Sequence, residues 1–473
     1  MTDAASTGDI GAYADKIFSR CGDVFRREIP LAHGVVTLAA FNGFSSRDYI
    51  ADFVVKPLLA AKTIDSEESL LGALAASEAK SVDTLDDLRV CLLCGMAVVW
   101  TDTPCGVICA ACAARNDPSR SVSEPDGEVV VRGPREGFVE SAETNTALLR
   151  KRLRTEKMKV ETLSVGKYSA TSVRIVYLEG VADEGVVARV KERLSAVKLP
   201  AVVDSGYLEQ FLSEKVSLFT EVGNSEKPDK VAAKLVEGRV AVIADGSPVV
   251  LTVPYLFVES VQSAEDYLKT PFYASFVRLL RLFCLMISLY LPAFYVAVLA
   301  HHPNDLPHLL YEKIVEARHD VPFGVFGELA VILLIFEIIR EVGVRMPGAV
   351  GDAVSIVAGL VLGDAAVEAG IASAPVIMVT AFTAICTFMA PPFMNALVLV
   401  RLANATLARL FGVAGVAASM TFFILRLCRK TSFGVPYFLP FSPPGKRSFT
   451  DGVLVMPKTA LAGADRELKE SRS

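Results

Sequence analysis

Apolar positions change their rhythm along this 473-residue chain, and the changes divide it into parts. Up to about residue 265, short apolar runs alternate with polar residues or recur at helical spacing, which predicts strands and amphipathic helices of a soluble α/β region. From Leu282 to Cys428 the runs lengthen into Leu282 to Ala300, Pro322 to Ile339, Val350 to Ala372, Ala374 to Val400 and Leu410 to Leu425, with charges mainly in the joints. A spanning helix takes about 20 mostly apolar residues, so this half is expected to be an all-α polytopic membrane domain. Beyond it, Gly434 to Pro440 and Pro443-Pro444-Gly445 hold too much proline for a helix and predict an extended tail packed under the membrane.

The soluble part reads as two similar lobes in tandem. Asn42-Gly43-Phe44-Ser45-Ser46-Arg47 and Glu179-Gly180-Val181-Ala182-Asp183-Glu184 each end a β-rich run at a glycine turn, place a short polar cap, and start a helical period. Asp86 to Asp102 and Asp229 to Asp245 share an acidic start, a helix, a closing glycine (Gly95 or Gly238), a β run and an aspartate in the next turn. The expected domains are a first α/β lobe with its linker over 1–145, a second α/β lobe over 146–265, a membrane domain of four or five segments over 266–432, and a proline-rich cytoplasmic tail over 433–473.

Topology follows from charge. Met1 to Arg20 has no apolar core of a signal peptide, so the lobes are expected in the cytoplasm. Asn304 to Asp320 then predicts an amphipathic helix lying on the outer surface. Arg340 and Arg345, and later Arg401 and Arg409, are expected back on the lobe side. Five full spans would leave Arg426, Arg429 and Lys430 outside, so four spans plus one re-entrant element are favoured.

Composition narrows the function classes. Hydrophobic residues make up 52% of the chain, and the 270 residues before Pro271 carry 39 acidic against 31 basic side chains, which argues against nucleic acid as the main partner. The five histidines form no metal spacing, and there is no nucleophile motif or phosphate-binding glycine loop. Cys91, Cys94, Cys105, Cys109 and Cys112 have zinc-like gaps, but the second lobe manages without them and they read as buried apolar residues. No enzyme, cofactor or metal is expected.

The polar residues inside the membrane half are the candidates. Asp364 and Glu368 sit one turn apart with no cation in register, and ionisable groups at membrane depth mark pathways by default. Thr380, Thr383 and Thr387 share one helical face; they can line an aqueous path or bond back to their own backbone. Pro391-Pro392 must break that helix. Gly351, Ser355, Gly359 and Gly363 form a small-residue stripe that serves intrachain packing or a subunit interface equally. Glu337, Arg340, Glu341 and Arg345 read as an ion-pair ladder at a segment end. In the soluble half, Arg132 and Arg135 among glycines could cradle an anion, and Arg150, Lys151, Arg152 and Arg154 form a basic helix face open to solvent or acidic headgroups.

Several stretches together resemble the A-subunit family of bacterial spore germinant receptors, the GerA family with its SpoVAF-like members. They are Val131-Arg-Gly-Pro-Arg-Glu-Gly-Phe-Val139, Glu265-Asp266-Tyr267, Leu291-Pro292-Ala-Phe-Tyr295, Phe336-Glu337-Ile-Ile-Arg340-Glu341, Ala365-Ala366-Val367-Glu368-Ala369-Gly370 and Gly434-Val-Pro-Tyr437. The resemblance implies a multi-pass protein of the spore inner membrane with its lobes on the core side. It implies homo-oligomers that form a germinant-gated ion channel, beside a permease-like B subunit and a lipoprotein C subunit. An accessory protein of the SpoVAF type and a non-conducting, membrane-anchored scaffold remain the alternatives. Asp364 departs from the family's usual Gln, and the clustered cysteines are not family features.

Overall fold

Each half of the soluble region builds the same five-stranded antiparallel sheet. In the first, β1 (Val24–Leu31), β2 (Gly34–Phe41), β3 (Ala79–Ser81), β4 (Ala97–Thr103) and β5 (Gly106–Cys112) lie in the order β1-β2-β4-β5-β3. In the second, β6 (Met158–Val165), β7 (Thr171–Leu178), β8 (Gly223–Ser225), β9 (Val240–Ala244) and β10 (Val250–Val253) lie as β6-β7-β9-β10-β8, the same topology used twice. The computed structural model describes residues 10–31, 34–61, 63–103, 106–114, 128, 133–213, 219–345, 359, 361–389, 391–439, 441–442, 452 and 454–455.

Helices cover both faces: α1 (Leu85–Leu93) on the first sheet, and α2 (Ala142–Arg152), α3 (Glu184–Ser195) and α4 (Pro228–Val236) on the second. Alternation along β7 decides the sides. Val173, Ile175 and Tyr177 pack with Val186, Val190 and Leu194 of α3, while Val176 and Leu178 pack with Leu148 of α2 and Leu235 of α4. Each such side chain contributes about 1.5–3 kcal/mol when fully buried. The matched sequence segments occupy matched places: α1 leads into β4 through left-handed Gly95, as α4 leads into β9 through left-handed Gly238. A Cβ at either would come to 3.0 Å of a backbone carbonyl oxygen, so glycine is required twice for one reason. The capping residues also act as expected, with Asp183 accepting from the Gly185 and Val186 N–H groups at 2.7 and 3.1 Å, and Ser46 from Tyr49 at 3.3 Å.

Helix α2 joins the lobes. Arg150, 3% exposed, donates to Asp23 of the first lobe at 2.5 and 2.9 Å and lies 3.9 Å over the Phe41 ring. It is therefore not on the solvent or headgroup-facing surface expected for the basic run, because α2 is sandwiched between the two cores. Lys151 and Arg152 pair instead with Glu136 at 3.1 and 2.6 Å. The segment before α2 is latched to the second lobe: the Asn145 amide bonds the Val139 N–H and carbonyl, and the Phe138 N–H donates to Glu226 at 2.7 Å.

The membrane half contains α5 (Pro271–His301), α6 (His308–Ala317), α7 (Val325–Arg345), α8 (361–368), α9 (Ala374–Thr387) and α10 (Met394–Arg429). Among the described residues, Pro271–His301 is one helix long and apolar enough to cross a membrane, and Ala396–Arg429 is a comparably long apolar stretch interrupted at Gly412. At 1.5 Å per residue α5 is about 46 Å long, more than a hydrocarbon core of about 30 Å. Its first turns therefore run on toward the lobes, where Arg278 and Arg281 grip Asp266 at 3.0 and 2.7 Å.

Helix α10 is a hairpin. At Gly412 (φ 59°, ψ −143°) the chain reverses, so Asn404 on one arm accepts from Ser419 on the other, and Leu397 packs with Phe423. The tip touches the far end of α5, where the His301 ring nitrogen lies 2.9 Å from the Arg409 carbonyl oxygen. Both hairpin ends return to the lobe side. This resolves the strain in the charge-based topology: Arg426, Arg429 and Lys430 are beside the lobes, whereas Arg409 is at the opposite end and Arg401 lies within the bundle. The expected lobe-side joint near Arg401 and Arg409 does not exist, since the turn is made by Gly412 and not by a charged loop.

The tail is a hook on the second lobe. Lys430 pairs with Glu221 at 3.1 Å, the Ser432 hydroxyl donates to the Glu221 carbonyl at 3.0 Å, and the Phe257 N–H donates to the Tyr437 carbonyl at 2.9 Å. Phe433, 1% exposed, enters the core beside α3, and Arg193 lies 4.4 Å from its ring.

Candidate functional site

A proline inside α5 sets up the main polar cluster of the bundle. Pro292 has no N–H, so the Ser288 carbonyl four residues earlier is left without its helical donor. Arg401 of α10 supplies one, its Nε donating to Ser288 at 3.0 Å while its Nη2 donates to the Thr387 hydroxyl of α9 at 2.7 Å. One turn along, the Asn404 amide donates to the Leu289 carbonyl at 3.1 Å. Arg401 is 7% exposed and makes no ion pair among the described residues. Three helices thus meet through one guanidinium bonded to neutral oxygens.

A carboxylate ties the other end. Glu328, fully buried in the first turn of α7, accepts from Arg318 at 3.0 Å and from the N–H and hydroxyl of Ser373 at 2.7 and 2.5 Å. Ser373 is the residue that begins α9, so this side chain fixes the end of α6, the start of α7 and the start of α9 together. A membrane carboxylate here serves as an anchor with its partners in place.

The candidate pathway residues divide into two environments. Thr380, Thr383 and Thr387 are buried on the inner face of α9, and each hydroxyl donates to a carbonyl four residues back at 2.6 to 2.9 Å. Asp364 and Glu368 are exposed on α8, whose packed side is marked by Ala366 against Leu329 and Val376. Neither acid pairs with a cation among the described residues. Glu368 stands close to left-handed Gly370, which abuts the Asp320 carbonyl at the end away from the lobes, and Asp364 is one turn, about 5.4 Å, deeper.

The remaining candidates are scattered. Gly351, Ser355 and Arg132 lie outside the described residues. Among the described residues, a Cβ at Gly359 would meet nothing within 4 Å, and one at Gly363 would touch only Ile377. Arg340 bonds to Glu337, and Arg345 donates to Glu341 at 2.8 Å. Arg135 is exposed, and Glu136 between it and α2 takes the Lys151 and Arg152 charges. Cys109 and Cys112 point to opposite faces of the first sheet, and burial pushes the Cys112 thiol up to about 12; Cys105 lies outside the described residues.

Where lobe and membrane meet, charge is concentrated again. Glu259, 6% exposed, binds Lys234 at 2.8 Å and Arg239 at 3.0 Å and also caps its own turn through the Leu256 N–H. Just beneath it Phe219, Phe257, Phe393, Phe423 and Tyr437 share one apolar cluster that joins the second lobe, both arms of the hairpin and the tail.

A family model described as Bacillus/Clostridium GerA spore germination protein matches residues 12–465. The chain belongs to the GerA family of spore germination proteins. It is 36% identical to the uncharacterized membrane protein YfkQ of Bacillus subtilis (strain 168), over 89% of this chain and 83% of that one. It is 34% identical to spore germination protein KA of the same organism, over 92% and 81%. The N-terminal domain of the A subunit of the Bacillus megaterium spore germinant receptor GerK3 is 22% identical with a TM-score of 0.42, covering 54% of this chain and 98% of that one.

In this GerA protein several of the stretches that carry the resemblance lie at joints. Phe138 and Val139 latch the segment before α2 to the second lobe, Asp266 grips α5, Pro292 frees the carbonyl that Arg401 takes, and Val435 to Tyr437 belong to the hook. Sequence reading missed Arg401, Asn404 and Ser288 as a set, and marked Glu328 only as an ionisable group inside an apolar segment. The signals present were an arginine flanked by Val398, Leu399, Val400 and Leu402, and a proline inside an otherwise uninterrupted span.

Proposed function

We propose that this GerA protein is the A subunit of a germinant receptor whose copies assemble in the spore inner membrane into a germinant-gated cation channel. The carrying observation is that α8 turns Asp364 and Glu368 away from the chain's own bundle. Lipid does not accept ionised carboxylates, so at membrane depth they belong against water or another subunit. Repeated around an assembly, the two acids make a ring of the kind that favours cations, and half-buried Gly359, with no described atom within 4 Å of a Cβ placed there, leaves room for a neighbouring helix to approach. A permease-like B subunit and a lipoprotein C subunit are the expected partners.

Liposomes holding the assembled protein, alone or with those partners, should pass monovalent cations. D364N with E368Q should lower conductance and cation preference together, by about thirtyfold if each carboxylate adds a local attraction of order 1 kcal/mol. Sealed vesicles despite correct assembly would remove this reading. The scaffold alternative draws on the threonine face: its hydroxyls are occupied by their own helix and by Arg401, which is a dry arrangement within one chain. It predicts that the lobes alone still gather the partner proteins while D364N and E368Q change nothing.

A further inference from the structure

We propose that Arg401 is a positioning residue that locks α9 onto the Pro292-containing part of α5, and that its release lets the threonine face move. The consequence for conduction rests on the channel reading above; the lock itself does not. An arginine placed for solubility would reach a surface, yet this one is 7% exposed and ends on two neutral acceptors belonging to two different helices. One acceptor exists only because Pro292 removed the donor that would have used it. The other, Thr387, already donates to Thr383, so its oxygen is oriented to accept.

This geometry makes the arrangement switchable. Held in place, the guanidinium satisfies both acceptors and keeps α9 against α5. Released, it leaves an orphan carbonyl in α5 and a free Thr387 oxygen, both of which then call for water. Hydration of the threonine face is thereby coupled to one side chain. Asn404 and Ser419 hold the next turn of the hairpin in register, so movement of Arg401 is transmitted along α10 toward the lobe-side end that the tail hook grips.

Two native cysteines report on the lock. Cys284 lies one turn before Ser288 on α5, Cys386 directly precedes Thr387 on α9, both are free, and their thiols are neighbours. In the full-length protein in membranes, oxidative cross-linking of this pair, read by mass spectrometry of the joined peptides, should slow on the order of tenfold in R401Q, the loss of one charge-assisted hydrogen bond. R401K keeps the charge but reaches one acceptor at a time, and should slow it about threefold. In a P292A background, where an N–H again serves Ser288, the R401Q effect should shrink. An unchanged or faster rate in both R401Q and R401K overturns the lock. Vesicle flux is read separately: a germinant-independent cation leak in R401Q supports the lock and the channel together. A slowed cross-link with no flux from any variant, the wild type included, supports the lock and removes the channel.

Discussion

Glu259 shows how a buried charge is kept ionised where two parts of the molecule join. Burial by itself would raise its carboxyl, but Arg239 and Lys234 outweigh that and hold it at about 2, below the ordinary carboxylate range near 4.3. A depressed carboxylate contributes stability that is fully present above the unfolded value and is lost as pH falls through the folded one. Thermal melting of the detergent-solubilised protein, followed by circular dichroism, should therefore lose stability between about pH 4.3 and pH 2 through this group. E259Q should melt lower at neutral pH, by about 3–5 kcal/mol, because Lys234 and Arg239 are left buried without their carboxylate. It should also lose part of the acid-dependent slope. A variant as stable as the wild type at pH 7 would show that the cluster relaxes without cost.

Among the elements, the hairpin α10 depends most on single residues. Gly412 combines a positive φ with a ψ that side chains avoid, and a Cβ there would come to 3.1 Å of His301. At Gly415 a Cβ would stand 2.4 Å from the Leu407 carbonyl oxygen, so this glycine lets the two arms approach. G412A and G415A should each lower melting stability by about 1–3 kcal/mol of backbone strain or displacement. G359A should leave the single chain unchanged, since nothing among the described residues lies within 4 Å of its Cβ. If instead G359A destabilises the solubilised chain and G412A does not, the hairpin turn is not where the strain resides. Hydropathy could not reveal this turn, because Phe411, Val413 and Val416 on either side of Gly412 continue an apolar run without interruption. The lobes were legible for the opposite reason. Their capping residues, closing glycines and period-two strands act locally, so Asp183, Gly95 and Gly238 could be read one by one. Arg401 could not, because its meaning comes from a carbonyl more than a hundred positions away. The same holds for Arg150, whose partner Asp23 belongs to the other lobe.

Across the whole molecule, the tail hook ties the second lobe to the membrane bundle, beside the grip of Arg278 and Arg281 on Asp266. The lobe-side end of the hairpin carries Lys430 to Glu221, Phe433 into the second-lobe core and Tyr437 into the aromatic cluster beneath Glu259. A displacement of the second lobe therefore pulls on α10, the same helix that presents Arg401 to α5 and α9. F433A removes a fully buried aromatic ring and should cost about 3–5 kcal/mol of docking. The loss should be local to the joint: amide exchange should rise in β8 and β10 and in residues 431–436, while α7 and α9, which do not touch the hook, keep their protection. F433L, which refills most of the volume, should recover much of the loss. K430A removes a cation held 3.1 Å from Glu221 and 4.9 Å from the Tyr437 ring, and should loosen the same amides to a smaller degree. Exchange that rises equally in α7 and α9 would mean that Phe433 supports the fold as a whole and not a joint between two bodies. Exchange confined to the second lobe and the tail would identify the hook as the link through which any signal received by the lobes reaches the membrane helices.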